Sequence, residues 1–342
     1  MSHLKDAHRE LFRRQPDECF SSLTALWQRC HEQKEQSLEL WESPDKLRMQ
    51  PVSFDRLLLT AGDDGAFQLT DWSFGQLCRL SGVSKETVNR LTPDTAAKVF
   101  AETLPTETRP LQLLTMNDRV RSIHGTAYTR LYNVDLLTVV REFATDFEAP
   151  PKGLNGGTGL YAGEQDMFCF MIDPTGWTEI GGESFAPGFY LWNSEVGRRS
   201  LGLSTFWFQA VCGNHIVWDA IEVNDLRRKH TANIHDGLRE VRRMIEDLVR
   251  LRDERRDGFT RVIKAAMATT LGDDADEVAK ALSKSGIRRK LAAKAIELAT
   301  RKGSFSVFTL MDALTRLSQE RAHVGERLEV DQSAAALLNA VA

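Results

Sequence analysis

Residues 190–234 read YLWNSEVGRRSLGLSTFWFQAVCGNHIVWDAIEVNDLRRKHTANI, and this stretch decides the fold. Two apolar runs, Ser200–Val211 and His215–Val223, flank Cys212-Gly213-Asn214. In the first run Leu201, Leu203, Thr205, Trp207, Gln209 and Val211 fall on one face of an extended chain; Phe206, Phe208 and Ala210 fall on the other. Both faces are largely apolar, which predicts a strand covered on both sides. Gly213-Asn214 is a turn signal, because both residue types tolerate positive φ. Ile216, Trp218, Ala220 and Ile221 supply a returning strand, so the stretch reads as an antiparallel hairpin at the core of a sheet.

Outward from the hairpin, the chain before it is strand-like and acidic, and the chain after it is helical and basic. From Leu226 onward there are 23 Lys and Arg against 17 Asp and Glu, a net of +6; the first 225 residues hold the remaining 21 and 31, a net of −10. The expected fold is α+β, with a mostly antiparallel central sheet, N-terminal helices and a helical C-terminal region. Four segments follow: a helical segment over 1–50, a helical hairpin region over 51–105, the sheet core over 106–225 and a basic helical region over 226–342. Within the sheet core, strands are predicted at 111–116, 120–124, 159–162, 167–172 and 189–192, with a helix over 133–147. Residues 4–42 carry a helical period interrupted at Pro16. After the hairpin, Ile234, Leu238, Val241, Ile245, Leu248 and Leu251 form a helical seam, for another helix of the chain or for a second copy; a homo-oligomer is the expectation.

The 42% hydrophobic and 27% charged content is that of a globular protein. No apolar run approaches the roughly 20 residues that span a bilayer, and Met-Ser-His-Leu-Lys-Asp lacks a secretory apolar segment. A cytoplasmic location without membrane contact is expected. Cys19, Cys30, Cys78, Cys169 and Cys212 are odd in number and scattered, which predicts free thiols.

Several segments together resemble the phage/plasmid-like protein family called domain of unknown function 932. They are Asn193-Ser194-Glu195-Val196-Gly197, Phe208 to Cys212-Gly213-Asn214, and Arg228-Lys229-His230-Thr231. Phe74-Gly75-Gln76-Leu77, Arg119-Val120-Arg121-Ser122, Tyr128 to Leu137 and Ala313-Leu314-Thr315 fit the same pattern, collinear over about residues 66–320. At the turn this chain has Cys-Gly-Asn-His where the family shows Cys-Thr-Asn-Gly. The resemblance implies a mobile-element or genome-maintenance role and no established activity.

No motif marks a reaction centre. The glycines of 149–159 do not form a strand–GxGxxG–helix unit, GxxxxGK[ST] is absent, and no cofactor is expected. Cys212, His215, His230 and His235 have residue types that suit zinc, in a spacing unlike a known finger; a core thiol is the plainer reading of Cys212, and no metal is expected. A Cys212–His230 nucleophile pair lacks an orienting third group. Asp118, Asp166, Asp173 and Glu195 are the carboxylates a metal-dependent nuclease would draw on, without a spacing that favours one. Residues 74–91 look like a helix-turn-helix, turning at Gly82 and capped by Ser84, with Lys85, Thr87, Asn89 and Arg90 outward. A plain helical hairpin packed on the sheet is the other reading of that segment.

Two groups of residues point to nucleic acid. Arg119 and Arg121 alternate along a strand, and Tyr128, Arg130 and Tyr132 share a face if extended. Guanidinium groups with aromatic rings suit single strands, the cations holding phosphates and the rings stacking on bases. The alternative is that the tyrosines are core or rim residues and the arginines pair with Asp118 and Asp135. Pairing outward from Gly213-Asn214 also makes neighbours of residues near 199 and 228, which gathers Arg198, Arg199, Arg227, Arg228 and Lys229 at one end of the sheet. Single-stranded DNA is the expected partner, and a non-catalytic accessory role in recombination the expected function. A DNA-processing enzyme and a pure assembly protein are the rivals.

Overall fold

The computed structural model describes residues 15–53, 56–62, 65–106, 109–151, 158–209, 217–218, 226–321 and 323–340. The architecture is α+β, with a helical C-terminal region. The strands form two sheets.

The larger sheet contains the hairpin strand. In chain order its strands are β1 (Glu18–Cys19), β8 (Leu160–Ala162), β9 (Met167–Ile172), β10 (Thr178–Ile180), β11 (Glu183–Asn193), β12 (Leu201–Gln209), β13 (Val217–Trp218) and β14 (Leu226–Arg228). Their order is β1-β8-β9-β11-β12-β13, with β10 on β11 and β14 on β12, all antiparallel. Every residue of β12 is buried, as its two apolar faces predict. The returning chain pairs as Phe208↔Val217 and Trp207↔Trp218, then as Leu201↔Arg228 and Gly202↔Arg227. The turn at 212–214, with Cys212 and His215, lies outside the described residues. β10 escaped the sequence reading; Gly181 and Gly182, at φ 62° and 83°, supply its two-residue turn into β11.

The second sheet holds β2 (Ser37–Glu42), β3 (Leu47–Ser53), β4 (Arg56–Ala61), β5 (Ala66–Leu69), β6 (Leu111–Met116) and β7 (Arg119–Gly125), in the order β2-β6-β7-β5-β4-β3. β2 lies within the span expected to be helical; the helix there, α1 (Leu23–Glu35), ends first. β6 and β7 were expected in the central sheet but pair with β2 and β5, so the boundary expected at 105/106 falls inside one sheet. β2 and β3 stand at opposite ends of the order although few residues join them. Flat strands would hold them about 24 Å apart, at ~4.8 Å per neighbour. The chain from Glu42 to Leu47 reaches about 18 Å at full stretch, and it includes a 3-10 turn at Pro44–Lys46. The sheet therefore curls. It wraps α2 (Asp71–Leu80) and α4 (Pro93–Thr103) around a core with Phe74, Leu77 and Phe100 fully buried. Thr92 caps α4, with Pro93 in its first turn.

On one face of the larger sheet, α1, α5 (Asn133–Phe143) and α6 (Asp236–Arg250) bury Leu26, Leu137, Ile234, Val241, Ile245 and Leu248 with Leu201 and Leu203. The seam expected to join copies of the chain is thus consumed internally, because α5 and the sheet already cover it. α7 (Arg252–Ala268), α8 (Ala275–Lys284), α9 (Arg289–Lys302) and α10 (Val307–Ser318) form a second core with Phe185 and Trp207 of the sheet. Trp207 stacks on Phe259 at 4.0 Å. The opposite face is an aromatic layer of Phe168, Phe170, Tyr190, Trp192, Phe206 and Phe208, under Val324 and Leu328 of α11 (Val324–Ala335). No helix among the described residues is long and apolar enough to cross a membrane.

Candidate nucleic-acid interface

The segment after β11 joins the two sheets. Glu195 is 1% exposed, and its Oε2 accepts a 2.8 Å bond from the Arg121 guanidinium of the other sheet. Its Oε1 accepts from the backbone N–H of Asn133 at the start of α5, 2.9 Å away. Its carbonyl accepts from Tyr128 Oη at 3.0 Å and from the Arg130 guanidinium. Asn193 donates to the Leu131 carbonyl and to Asn133 Oδ1, and Ser194 Oγ donates to the Gln165 carbonyl. The stretch Asn193–Gly197 thus spends its polar groups on holding the fold together.

This arrangement overturns part of the arginine–tyrosine reading. Arg121 and Arg130 are buried, at 4% and 5% exposure, and cannot reach a phosphate. Arg130 lies 2.7 Å from Glu39 Oε1 and also bonds Gln112. The alternation that put Arg119 and Arg121 on one face fails at a bulge. Leu114 pairs with Ser122 and Thr115 with Val120, so Arg121 is an inserted residue turned into the core while Arg119 stays exposed. Tyr132 is half-buried; its hydroxyl bonds Glu39, and burial with the nearby Glu39 charge pushes its pKa up to about 12. The expected partners Asp118 and Asp135 are engaged elsewhere, by Gln68 and Lys34.

The five cations at the sheet end were placed by register, and Leu201↔Arg228 sets them at one end. A strand has two faces, however, and the side chains diverge. Arg228 points to α6 and is held bidentately by Glu240, its Nε 2.9 Å from Oε2. Arg199 and Arg227 point to the α11 side. There Arg199 meets Glu329 at 3.0 Å and Asp166 at 3.5 Å, and Arg227 lies over the Trp192 ring. Arg198 is exposed and turns to the second sheet, over Trp72 at 5.4 Å. Lys229 is exposed beside His230.

Trp72 and Arg79 were missed, although their seven-residue spacing puts them on one side of α2. Arg79 stands 5.3 Å from the Trp72 ring, so two exposed guanidinium groups, Arg79 and Arg198, flank one indole. Trp72 Nε1 donates to the Val196 carbonyl at 2.6 Å, and His124 Nε2 lies 3.0 Å from the same oxygen. The His124 ring stacks on Tyr128 at 3.7 Å, and Tyr128 on His230 at 5.2 Å. Gly197, at φ 73°, fits beneath this stack, where a Cβ would come within 2.6 Å of His124. Burial pushes both imidazoles down to about 4, with the Arg130 charge acting in the same direction, so both are neutral at pH 7. Burial also raises the Tyr128 hydroxyl. Among the described residues Arg79, Arg198 and Lys229 make no ion pair. Arg79 and Arg198 border the half-buried Trp72 indole, whose Nε1 is anchored inward.

The other candidate residues do not gather around a reaction centre: Asp166 faces Arg199, Asp173 is paired with Arg252 and accepts from Thr175, and Glu195 faces Arg121. No group of three or more His, Cys, Asp or Glu among the described residues could hold a metal ion. Of the residues whose types suit zinc, His230 is taken up in the ring stack, and Cys212 and His215 lie outside the described residues. Cys19, Cys30, Cys78 and Cys169 take part in no disulfide among the described residues. The helix-turn-helix reading fails on length. Its second helix, α3 (Lys85–Val88), is one turn, Lys85 is paired with Asp71, and Asn89 is buried, leaving no recognition helix to enter a groove. Comparison with protein-family models, curated proteins and solved structures finds no match to this chain.

Proposed function

We propose that the chain is a non-catalytic nucleic-acid-binding protein that takes single strands, an accessory factor of the mobile-element kind implied by the family resemblance. The observation that carries this reading is the pair of exposed guanidinium groups on Trp72, set beside the His124–Tyr128–His230 stack, with Lys229 a further exposed cation next to His230 in the chain. Planar cations on aromatic faces bind phosphates without sequence preference and offer bases a surface to stack on. The buried, separately paired carboxylates favour binding over a metal-dependent reaction. The burial of the α6 seam within the chain supports binding over pure assembly.

Fluorescence anisotropy with a labelled single strand tests the proposal. Arg79→Ala, Arg198→Ala and Lys229→Ala together should weaken binding at low salt. They should also flatten the plot of log affinity against log salt by about 2, at ~0.7 per lost contact on single strands. Unchanged affinity and slope in the triple variant would refute the assignment, and strand cleavage that stops with chelator would refute the non-catalytic part.

A further inference from the structure

A second feature lies on the opposite face of the same sheet end. Phe170, Tyr190 and Trp192 form a ladder across β9 and β11, with ring centroids 5.1 and 5.3 Å apart and planes tilted by 21° and 28°. The ladder stops at Trp192. Gly202 sits opposite Trp192 in the sheet, and any Cβ there would overlap the indole, so the ring lies flat over bare backbone. Beyond it a cleft of about 230 Å³ opens between the sheet and α11. That is below the ~300–1,000 Å³ of sites for drug-sized ligands, and of the order needed by one planar ring system.

The cleft walls carry matching chemistry. Trp192 and Phe168 form its floor, at 6% and 0% exposure, each with a guanidinium above it. Arg227 reaches over Trp192, and Arg199 over Phe168 at 5.7 Å. Gln332 donates its Nε2 to Tyr190 Oη at 2.9 Å, which fixes the amide at the cleft wall. Glu329 engages Arg199 at the rim, so its charge is offset. Guanidinium planes backed by aromatic rings, beside a fixed amide, are what a base attached to a phosphate can stack on and bond to.

We propose that this cleft takes a single unstacked nucleobase of the bound strand, with Arg227 meeting the adjacent phosphate. The inference rests on the single-strand reading and names the part of the ligand that enters. Its test compares a labelled thymidine oligomer with an abasic sugar–phosphate oligomer of equal length. The parent should bind the thymidine strand roughly five- to a hundredfold more tightly, the range for stacking one base on an aromatic side chain. Glu329→Trp introduces an indole from a side chain that is 61% exposed, so the fold tolerates it while the cleft fills. This variant should lose the part of the preference that the cleft supplies and keep the abasic affinity, and Gln332→Leu should reduce the preference. Equal binding of the two strands by the parent overturns the base site and leaves the single-strand reading standing. So does a preference that survives Glu329→Trp at full size. Failure of the parent to bind either strand overturns the single-strand reading itself.

Discussion

Replacing Glu195 by glutamine tests whether the Asn193–Gly197 segment is the joint between the two sheets. The change keeps the shape and the acceptor for the Asn133 N–H, and removes only the negative charge. Arg121, at 4% exposure and 2.8 Å from Glu195, is then a buried guanidinium without a counter-charge. Breaking a buried pair from one side costs about 3–5 kcal/mol, a large part of the ~5–15 kcal/mol that holds a native chain. With slopes of about 1–3 kcal/mol per molar urea, the unfolding midpoint should fall by about 1 M or more. Adding Arg121→Met removes the orphaned charge, so the double variant should be more stable than Glu195→Gln alone. Urea unfolding followed by tryptophan fluorescence and by circular dichroism gives both numbers. A midpoint within about 0.3 M of the parent, or a double variant as unstable as the two single changes added together, would refute the reasoning.

Two pH profiles follow from buried groups. His124 and His230 are held at about 4, below their ordinary 6.5, so the unfolded chain binds more protons between those values. Their contribution is complete above pH 6.5 and is lost as pH falls through 4, by about 3 kcal/mol per ring at most. Substituting both by phenylalanine should flatten urea midpoints measured across that window, and an unaltered profile would contradict neutral buried imidazoles. Asp331 has the opposite sign. Burial raises it from 3.8 to about 8 despite a 2.6 Å bond from Ser318, so the folded chain holds a proton that the unfolded chain releases. Stability is lost as pH rises from about 4 to 8, and Asp331→Asn should match the parent at pH 4 and exceed it increasingly up to pH 8. A constant difference between the two proteins over that range would show that ionisation of Asp331 is not involved.

The residue pattern by itself determined most of the local elements and one long-range pairing. The two-faced apolar run 201–209, the cap at Ser84 and the C-terminal helices each depend on neighbours within a few positions. Period 2 or 3.6 and cap chemistry report such neighbours directly. The end-on meeting of residues near 199 and 228 was legible because antiparallel pairing counts outward from a turn. Only the tertiary structure decided the rest. Ser37–Glu42 continues a helical pattern and becomes a strand because β6 is there to pair with it. Arg121 and Arg130 look like a binding surface in sequence, yet Glu195 and Glu39, 74 and 91 positions away, draw them into the interior. The Trp72 surface needs α2 to meet the Val196 carbonyl across 124 positions. Burial and charge pairing are sums over every group that surrounds a side chain in space, and a linear pattern carries only the part of that sum contributed by near neighbours in the chain.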